Sequence, residues 1–427
     1  MFSFKLKQTG LVASFALFAA VNAAQVFAAP SADPVVLTFS TVGDSREDPS
    51  FPDPSVINNA QIGVGNCQIT SGSGLNPNPG LSGQDCKWLQ NTAALSMILD
   101  NIHSQKSKLL FFNGDMIMGY GKAGVPVTRN KTGVSEVAIA NPQVSDVINS
   151  DLMQFYKQYG FWRGMVATLM EKGTYVVPVP GNHETQCKRC GKASQVENEN
   201  AWRDNMGDLI LDTARFTGIV GSAPQNFSLG NSPVISGPDN ITTDQTQLSY
   251  SFDVGNAHFA VINTDPVGHD GYAPTAWLTA DLAAAQSRGA TSMFVFGHKP
   301  AFFYAFSGSA PSSTSSLNNK DAAAAEAFWD VIVSHKATYF SGHEHIYHIE
   351  KIPSTSKPTL SAYQVLVGSG GSPFETSVDT GKASDRMYAW ATVQIHQSGK
   401  AVMTTYGFDP TMANPVQKLD TSVVLNR

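Results

Sequence analysis

Residues Thr174–Thr185 read TYVVPVPGNHET, an apolar segment that runs directly into three polar side chains. The valines are β-branched, which is typical of a buried strand, and the Pro-Gly pair that follows ends the strand abruptly. Asn182, His183 and Glu184 then present an amide, an imidazole and a carboxylate. Polar groups at the carboxyl end of a strand are a common way to build a binding site, although this segment alone is also consistent with an ordinary polar loop.

Four further segments have the same form, an apolar run followed by glycine and a side chain that can bind metal. Because glycine allows a sharp turn and a close approach of the backbone to a ligand, each strand end is suited to a binding site. Carboxylate and imidazole groups together favour Zn, Mn or Fe. The five strand ends therefore predict a metal site, whose candidate residues are Asp44, Asp115, Asn182, His183, His298, His343 and His345.

The order of the predicted elements indicates an α/β protein with mixed sheets. In the first half of the chain, predicted strands alternate with predicted helices. Residues Val144–Lys172 are expected to form one or two of these helices, with a break at Gly164. One helix is expected at Glu197–Phe216, and Gln247–Val254 pairs with Ala257–Thr264 in a predicted hairpin around Gly-Asn. Antiparallel strands dominate later, so we predict two packed mixed sheets flanked by helices.

The first 28 residues have the pattern of a secretory signal peptide, with two lysines before the short apolar run Leu11–Ala20. Export to the periplasm or the exterior is therefore expected. Later in the chain no apolar run is long enough to span a bilayer. The net charge of −6 argues against general binding of nucleic acid, but it does not exclude a small phosphate ester as substrate.

The four cysteines are expected to form disulfides in an exported protein. We favour Cys67–Cys86 and Cys187–Cys190 among the three possible pairings. The first bond closes a loop rich in Gly, Pro, Asn and Ser, for which the chain-entropy model gives about 3 kcal/mol. Cys187 and Cys190 are also compatible with a redox pair or with half of a zinc site, although Cys67 and Cys86 do not supply a second close pair.

The strand-end motifs resemble, in order, those of the calcineurin-like metallophosphoesterases. Five short motifs carry the resemblance: GD (43–44), NGD (113–115), GNHE (181–184), GHKP (297–300) and SGHEH (341–345). Longer segments are similar to the purple acid phosphatase branch: LSYSFDVGNAHFAVINTD (248–265), AWLTADLAAA (276–285), FVFGHKPAF (294–302), GHEHIYHIE (342–350) and VGSGGSP (367–373). The resemblance covers nearly the whole chain after the leader and implies a four-layer αββα sandwich.

The resemblance also implies a role for each candidate residue. Asp115 bridges two metal ions, divalent or trivalent Fe, Zn or Mn. Asp44 and His345 hold the first metal, and Asn182, His298 and His343 hold the second. His183 supplies a proton to the leaving group or stabilises the developing charge, and Glu184 orients an imidazole.

Two departures from the family pattern concern the first metal. The usual Asp-x-His motif is Asp44-Ser45-Arg46 here, and the tyrosine expected three residues after the bridging aspartate is Met118, with Tyr120 the nearest tyrosine. An arginine has no lone pair to give a metal, but its planar fork suits phosphate oxygens. We therefore expect Arg46 to bind the substrate phosphate and solvent to complete the first metal's shell, unless Tyr120 does so.

The function implied is that of an exported dinuclear-metal phosphoesterase, which hydrolyses phosphate monoesters by attack of a metal-activated hydroxide. The alternatives are a phosphodiesterase or nucleotidase on the same core, and a non-catalytic surface protein that binds metal or phosphate. The predicted catalytic domain covers residues 29–427, with long loop insertions at about 49–86, 119–143 and 187–245. His258 is expected to be structural, His348 to lie behind the metal ligands, and His269 and Tyr304 are weaker candidates for the substrate pocket.

Overall fold

Two mixed sheets carry the described part of the chain. The computed structural model describes residues 33–49, 83–129, 136–227, 231–304, 312–372, 387–409 and 415–425, with the side chains of 83–90, 128, 129, 136 and 211 excepted. The first sheet has the order β16-β15-β14-β1-β2-β5, with β17 also paired to β15. Its strands are β1 (Val35–Val42), β2 (Leu109–Asn113), β5 (Tyr175–Val179), β14 (Tyr388–His396), β15 (Ala401–Phe408), β16 (Gln417–Lys418) and β17 (Val423–Val424).

The second sheet has the order β12-β13-β11-β10-β9-β8. Its strands are β8 (Tyr250–Val254), β9 (Ala257–Val261), β10 (Ser292–Phe296), β11 (Thr338–Ser341), β12 (Tyr347–Pro353) and β13 (Ser361–Val367). In both sheets the central strands are parallel: β1 with β2 and β2 with β5 in the first, and β9, β10, β11 and β13 in the second. The β8–β9 hairpin is antiparallel, as predicted.

Two short pairs of strands lie outside the large sheets. The helices cover the outer faces of the large sheets. The short pairs are β3 (Val127–Arg129) with β4 (Glu136–Ala138), and β6 (Gln186–Cys187) with β7 (Ala193–Ser194). The helices are α1 (Gly83–Ser104), α2 (Val144–Ile148), α3 (Asp151–Glu171), α4 (Asn182–Thr185), α5 (Val196–Leu211), α6 (Thr213–Val220), α7 (Thr275–Ser287), α8 (Leu317–Lys320) and α9 (Ala322–Ser334).

Three apolar layers separate the sheets and helices. Phe39 of the first sheet lies between Phe111 and Phe294, at ring-centroid distances of 5.6 and 4.9 Å, so aromatic side chains fill the space between the sheets. Helices α1, α3 and α5 pack on the first sheet, with Trp162 and Trp202 fully buried. Helices α7 and α9 pack on the second. The predicted arrangement of two mixed sheets flanked by helices is confirmed.

The helix ends differ from the prediction in two places. The break in Val144–Lys172 falls before Asp151, where the Ser150 hydroxyl accepts the Met153 amide at 3.3 Å and begins α3. Gly164 lies inside that helix, because the buried face around Trp162 offsets the roughly 1 kcal/mol lower helix propensity of a glycine. Likewise, Asp212 accepts the Arg215 amide and divides the predicted helix 197–216 into α5 and α6.

Some predictions lie outside the described residues. These are the signal peptide at 1–28, most of the 49–86 insertion and the Cys67–Cys86 bond, since the side chain of Cys86 is also excepted. The Cys187–Cys190 bond is present. Among the described helices, none combines the length and the apolar character that crossing a membrane requires.

Candidate metal centre

Six of the predicted side chains meet at the carboxyl ends of the parallel strands. Asp44, Asp115 and Asn182 follow β1, β2 and β5 of the first sheet. His298 follows β10 of the second sheet, and His343 and His345 follow β11. The two sheets face each other, so their strand ends bring all six side chains to one site, as expected for parallel strands.

The site contains two groups of donor atoms that share one carboxylate. Asp115, His298 and His343 form one group, and Asp44, Asp115 and His345 form the other, with each group's donor atoms within 4.8 Å of one another. All are buried except His343, which is partly exposed. The shared Asp115 is the residue that the sequence motifs assign as the bridge.

Asn182 completes the first of these groups. Its Oδ1 atom lies 2.9 Å from His298 Nε2 and 2.8 Å from His343 Nδ1, and the two ring nitrogens are 3.2 Å apart. His298 Nε2 is also 3.1 Å from Asp115 Oδ1. Four donor atoms from four strand ends therefore converge on one point.

Backbone carbonyls determine which nitrogen of each imidazole faces that point. The carbonyl of Asn113 accepts from His298 Nδ1 at 2.8 Å, and the carbonyl of Thr314 accepts from His343 Nε2 at 3.0 Å. A carbonyl can only accept, so both of these nitrogens carry protons. This is the arrangement that orients histidine ligands in metal sites, because it leaves the opposite nitrogen directed at the ion.

Burial and neighbouring charges shift the pKa values of the candidate metal ligands. Burial and the charge of Asp115 raise the pKa of Asp44 well above its usual range. Burial would also raise the pKa of Asp115, but His183, His298 and Arg46 outweigh it and hold that pKa well below its usual range. Burial and the nearby His298 lower the pKa of His343, so this ring is neutral.

The donor set fits a cation. In neutral His343 the Nδ1 atom carries a lone pair, which faces the lone pairs of Asn182 Oδ1 at a distance of 2.8 Å between the two atoms. Two acceptors at this distance repel each other unless a cation lies between them. Carboxylate, amide oxygen and imidazole ligands suit Zn, Mn or Fe.

The backbone of the site is held in an uncommon conformation. Asp44, Arg46, Asp115, Tyr120 and His343 all have φ between 48° and 73°, the left-handed region that costs other residues more than glycine. Such residues cluster at functional sites, where the surrounding structure holds them in place at about 1–3 kcal/mol each.

The glycines of the motifs allow close contacts around the same residues. Gly114 has φ +82°, and a Cβ there would lie 2.6 Å from His298 Nδ1. A Cβ on Gly342 would overlap Asp44 Oδ2. The glycines are therefore required by the approach of the two sheets at the site.

His183 lies against the shared carboxylate. Its Nδ1 atom donates to the carbonyl of Met118 at 2.5 Å, and its Nε2 is 3.5 Å from Asp115 Oδ2. The side chain is fully buried, and burial together with the charge of Arg46 lowers its pKa to about 3. Nε2 is a buried atom without a hydrogen-bond partner among the described residues, and it is the nitrogen on the side of the site.

Glu184 has a different role from the predicted one. It was expected to orient an imidazole, but its Oε2 accepts the amides of Asp115 and Gly181 at 2.8 Å each, and its Oε1 accepts the amide of Ile117 at 3.1 Å. The carboxylate thus holds together the two turns that carry the candidate ligands Asp115 and Asn182. An acidic side chain in the first turn of the short helix α4 is the sequence signal that indicates a role in binding backbone amides.

A buried ion pair next to His298 was not predicted. Lys299 contacts Asp265 Oδ1, and both side chains are almost fully buried. The same oxygen accepts from Gln186 Nε2 at 3.1 Å. The pair connects the turns that follow β9 and β10 with strand β6, and the charged Lys in GHKP was its only sequence signal.

The weaker candidates are placed as follows. His258 lies between Asp253 and Asp281, at 2.6 and 2.9 Å, which agrees with the structural role expected for it. The rings of Tyr304 and His348 stack 3.6 Å apart, and His269 stacks on Tyr272 at 4.0 Å.

Solved structures similar to this chain include two phosphatases. The purple acid phosphatase PPD1 from seeds of yellow lupin (Lupinus luteus) is 11% identical and matches 90% of this chain and 52% of its own, with a TM-score of 0.46. This chain therefore spans about half the length of the lupin protein. A dimetal phosphatase from Danio rerio is 12% identical over 91% of this chain and 100% of its own, also with a TM-score of 0.46.

A third similar structure is GAP50, described as the anchor in the inner membrane complex of Plasmodium. It is 12% identical over 91% of this chain and 90% of its own, with a TM-score of 0.38. No model of a protein family matches this sequence, and no curated protein matches it.

Proposed function

We propose that this protein is an exported phosphoesterase that uses two metal ions to hydrolyse phosphate monoesters. The observation that carries the proposal is the shared position of Asp115 between two groups of convergent donor atoms. Two such groups that share one carboxylate would hold two ions close together. The export part of the proposal rests on the leader sequence alone.

The residues that would hold the ions are those of the two groups. Asp44, Asp115 and His345 would bind the first ion, and Asp115, Asn182, His298 and His343 the second. A pair of such ions supplies Lewis acidity, which binds phosphate oxygens and activates water at neutral pH. The proposed metals are Fe, Zn or Mn, because the ligands are carboxylate, imidazole and amide oxygen.

The protein's own groups then act on the phosphate ester. The guanidinium of Arg46, whose side chain is 20% exposed beside Asp115, would bind a phosphate oxygen with its planar fork. His183 has Nδ1–H held by Met118 and a pKa of about 3, so its Nε2 would first take up a proton from solvent and then pass that proton to the leaving oxygen. The substrate would be a small phosphate ester.

The test is metal content combined with turnover on purified protein. We expect two metal ions per chain, located by anomalous scattering, and hydrolysis of phosphate monoesters that a chelator abolishes and added metal restores. Asp115→Asn should lose both ions, because that carboxylate belongs to both groups. Asp100→Asn, on an exposed helical position, is the matched control and should keep both ions and full activity.

The same assay separates the proposal from its alternatives. A panel of monoesters and diesters should give faster turnover for monoesters, and a preference for diesters would assign a phosphodiesterase instead. A protein that binds two metals but hydrolyses no ester with any of them would contradict the enzyme proposal and favour a metal-binding protein.

A further inference from the structure

The turn at Gly119-Tyr120 packs directly against the turn that carries Asn182 and His183. The Tyr120 hydroxyl lies 2.6 Å from Asn182 Nδ2, and the Tyr120 ring centroid lies 3.7 Å from that of His183. The backbone amide of Tyr120 donates to the His183 carbonyl at 3.1 Å. One side chain thus contacts two predicted site residues with two different surfaces.

The two ends of the Asn182 amide face different groups. Oδ1 faces the nitrogens of His298 and His343 that would bind the metal, while Nδ2 faces the phenol oxygen of Tyr120. If the amide turned over, its NH₂ group would face the metal position and its oxygen would face the tyrosine. A hydroxyl can accept from Nδ2 and can equally donate to an amide oxygen, so the bond to Tyr120 holds the amide group in place. A cation beside the histidines would select the oxygen as the end that faces them.

The backbone keeps Tyr120 in this place although its conformation is unfavourable. Its φ is 62°, and that of Gly119 is 46°. The Tyr120 carbonyl accepts the amide of Lys188 at 3.0 Å, so both backbone groups of the residue are bonded. A Cβ on Gly119 would overlap the His183 carbonyl, which shows how closely the two turns approach. A tyrosine held in the left-handed region by its surroundings is the pattern expected of a functional residue.

We propose that Tyr120 is a positioning residue, whose hydroxyl holds the Asn182 amide in the place from which its oxygen reaches the second metal. This inference rests on the proposed two-metal function. It also assigns Tyr120 to the Asn182 side of the site, rather than to the position left open in the first metal's shell.

The test is calorimetric titration of the full chain, freed of metal by a chelator, with Zn²⁺ and with Mn²⁺. His298→Ala identifies the binding step that belongs to the second metal. Tyr120→Phe keeps the ring on His183 and removes only the hydroxyl. We expect it to weaken that same step about 10- to 100-fold and to leave the other step unchanged, because outer partners of metal ligands have effects of this size.

A double-mutant cycle separates positioning from a general structural effect. Asn182→Ala should weaken the second step, and adding Tyr120→Phe to it should weaken that step no further, because the amide that the hydroxyl orients is gone. Tyr156→Phe removes a hydroxyl that contacts Asp204 elsewhere and is the matched control, with no change in either step. Thermal unfolding by circular dichroism checks that each variant is folded.

Each outcome decides the inference. Unchanged metal affinity in Tyr120→Phe, or effects of Tyr120→Phe and Asn182→Ala that add independently, would refute it. Weakening of the first step, or an iron form with a tyrosinate absorption band that Tyr120→Phe removes, would make Tyr120 a ligand. A wild type that binds two metals without turnover would contradict the proposed function and leave this inference standing, whereas a wild type that binds no metal would overturn both.

Discussion

Arg46 contacts one oxygen of Asp115 with two nitrogens. Its Nε lies 3.3 Å and its Nη2 3.2 Å from Asp115 Oδ2. The guanidinium thus lies at the carboxylate shared by both donor groups, and it approaches from a left-handed backbone with φ 48°. The sequence predicts that this arginine binds the substrate phosphate, and the structure places it beside the residue that would bridge the metals.

The first prediction is that Arg46→Ala weakens phosphate binding but keeps both metals. A charge-assisted hydrogen bond contributes about 1.5–3 kcal/mol, so the inhibition constant of phosphate and the KM should rise roughly 10- to 100-fold. Metal content is measured by elemental analysis. Arg46→Lys keeps the charge without the fork and should be intermediate. Loss of the first metal with normal phosphate binding would show that Arg46 supports the metal instead.

The second prediction concerns the leaving group. His183→Ala should reduce turnover by about 10²–10⁴-fold on alkyl esters, whose leaving oxygens need a proton, and much less on aryl esters with acidic leaving groups. The measurement is kcat across a series of leaving groups, with metal content checked in parallel. A uniform loss across the series would leave His183 with an electrostatic role only.

The third prediction concerns the buried cluster around His258. Burial alone would lower the pKa of His258, but hydrogen bonds and charges from Asp253 and Asp281 outweigh it and raise that pKa above 6.5. Asp253 is also paired with Arg288, at 2.9 Å. Removing one partner of a buried charged pair costs about 3–5 kcal/mol, so we expect His258→Gln to lower the free energy of unfolding by that amount near pH 6.

The pH dependence of this effect follows from the direction of the shift. A group whose pKa is raised in the folded state stabilises that state fully below the unfolded pKa of about 6.5. This stabilisation is lost as the pH rises through the folded pKa. The difference between wild type and His258→Gln in urea unfolding should therefore shrink above neutral pH. A difference that stays constant from pH 6 to pH 10 would contradict the protonated cluster.

The fourth prediction concerns the cysteines. The Cys187–Cys190 bond closes a loop of four residues, for which the chain-entropy model gives about 2 kcal/mol, so the Cys187→Ser/Cys190→Ser variant should lose roughly that stability. We predict no free thiols in the exported protein and a second bond between Cys67 and Cys86. Thiol titration and peptide mapping check this. A peptide that joins Cys67 to Cys190 would show that the pairing is wrong.

The strand ends were predictable because their signals are local. An apolar run, a glycine and a polar side chain are all read within a few residues, so Asp44, Asp115 and His298 could be assigned to turns at the carboxyl ends of strands. Helix limits were less predictable, since Ser150 begins a helix by accepting one amide, whereas Gly164 gives a breaking signal that buried packing overrides.

The roles of the buried polar residues depended on partners distant in the chain. The Glu184 carboxylate accepts the amide of Asp115, 69 positions away, and Lys299 pairs with Asp265 across two strand ends. No local pattern indicates which amide or carboxylate such a group meets. The expected contact of Glu184 with an imidazole was therefore wrong, although Glu184 does lie beside the candidate metal ligands.

The amino-acid sequence by itself determined the α/β class, the strands that end in glycine, and the residue types able to bind metal, because periodicity and turn chemistry act over short distances. Only the tertiary structure decided that donor atoms from two different sheets converge within hydrogen-bond distance. It also decided which nitrogen of each histidine faces inward and which end of the Asn182 amide meets Tyr120. These features depend on the packing of one sheet against the other, which aligns strand ends separated by up to about 300 residues in the chain.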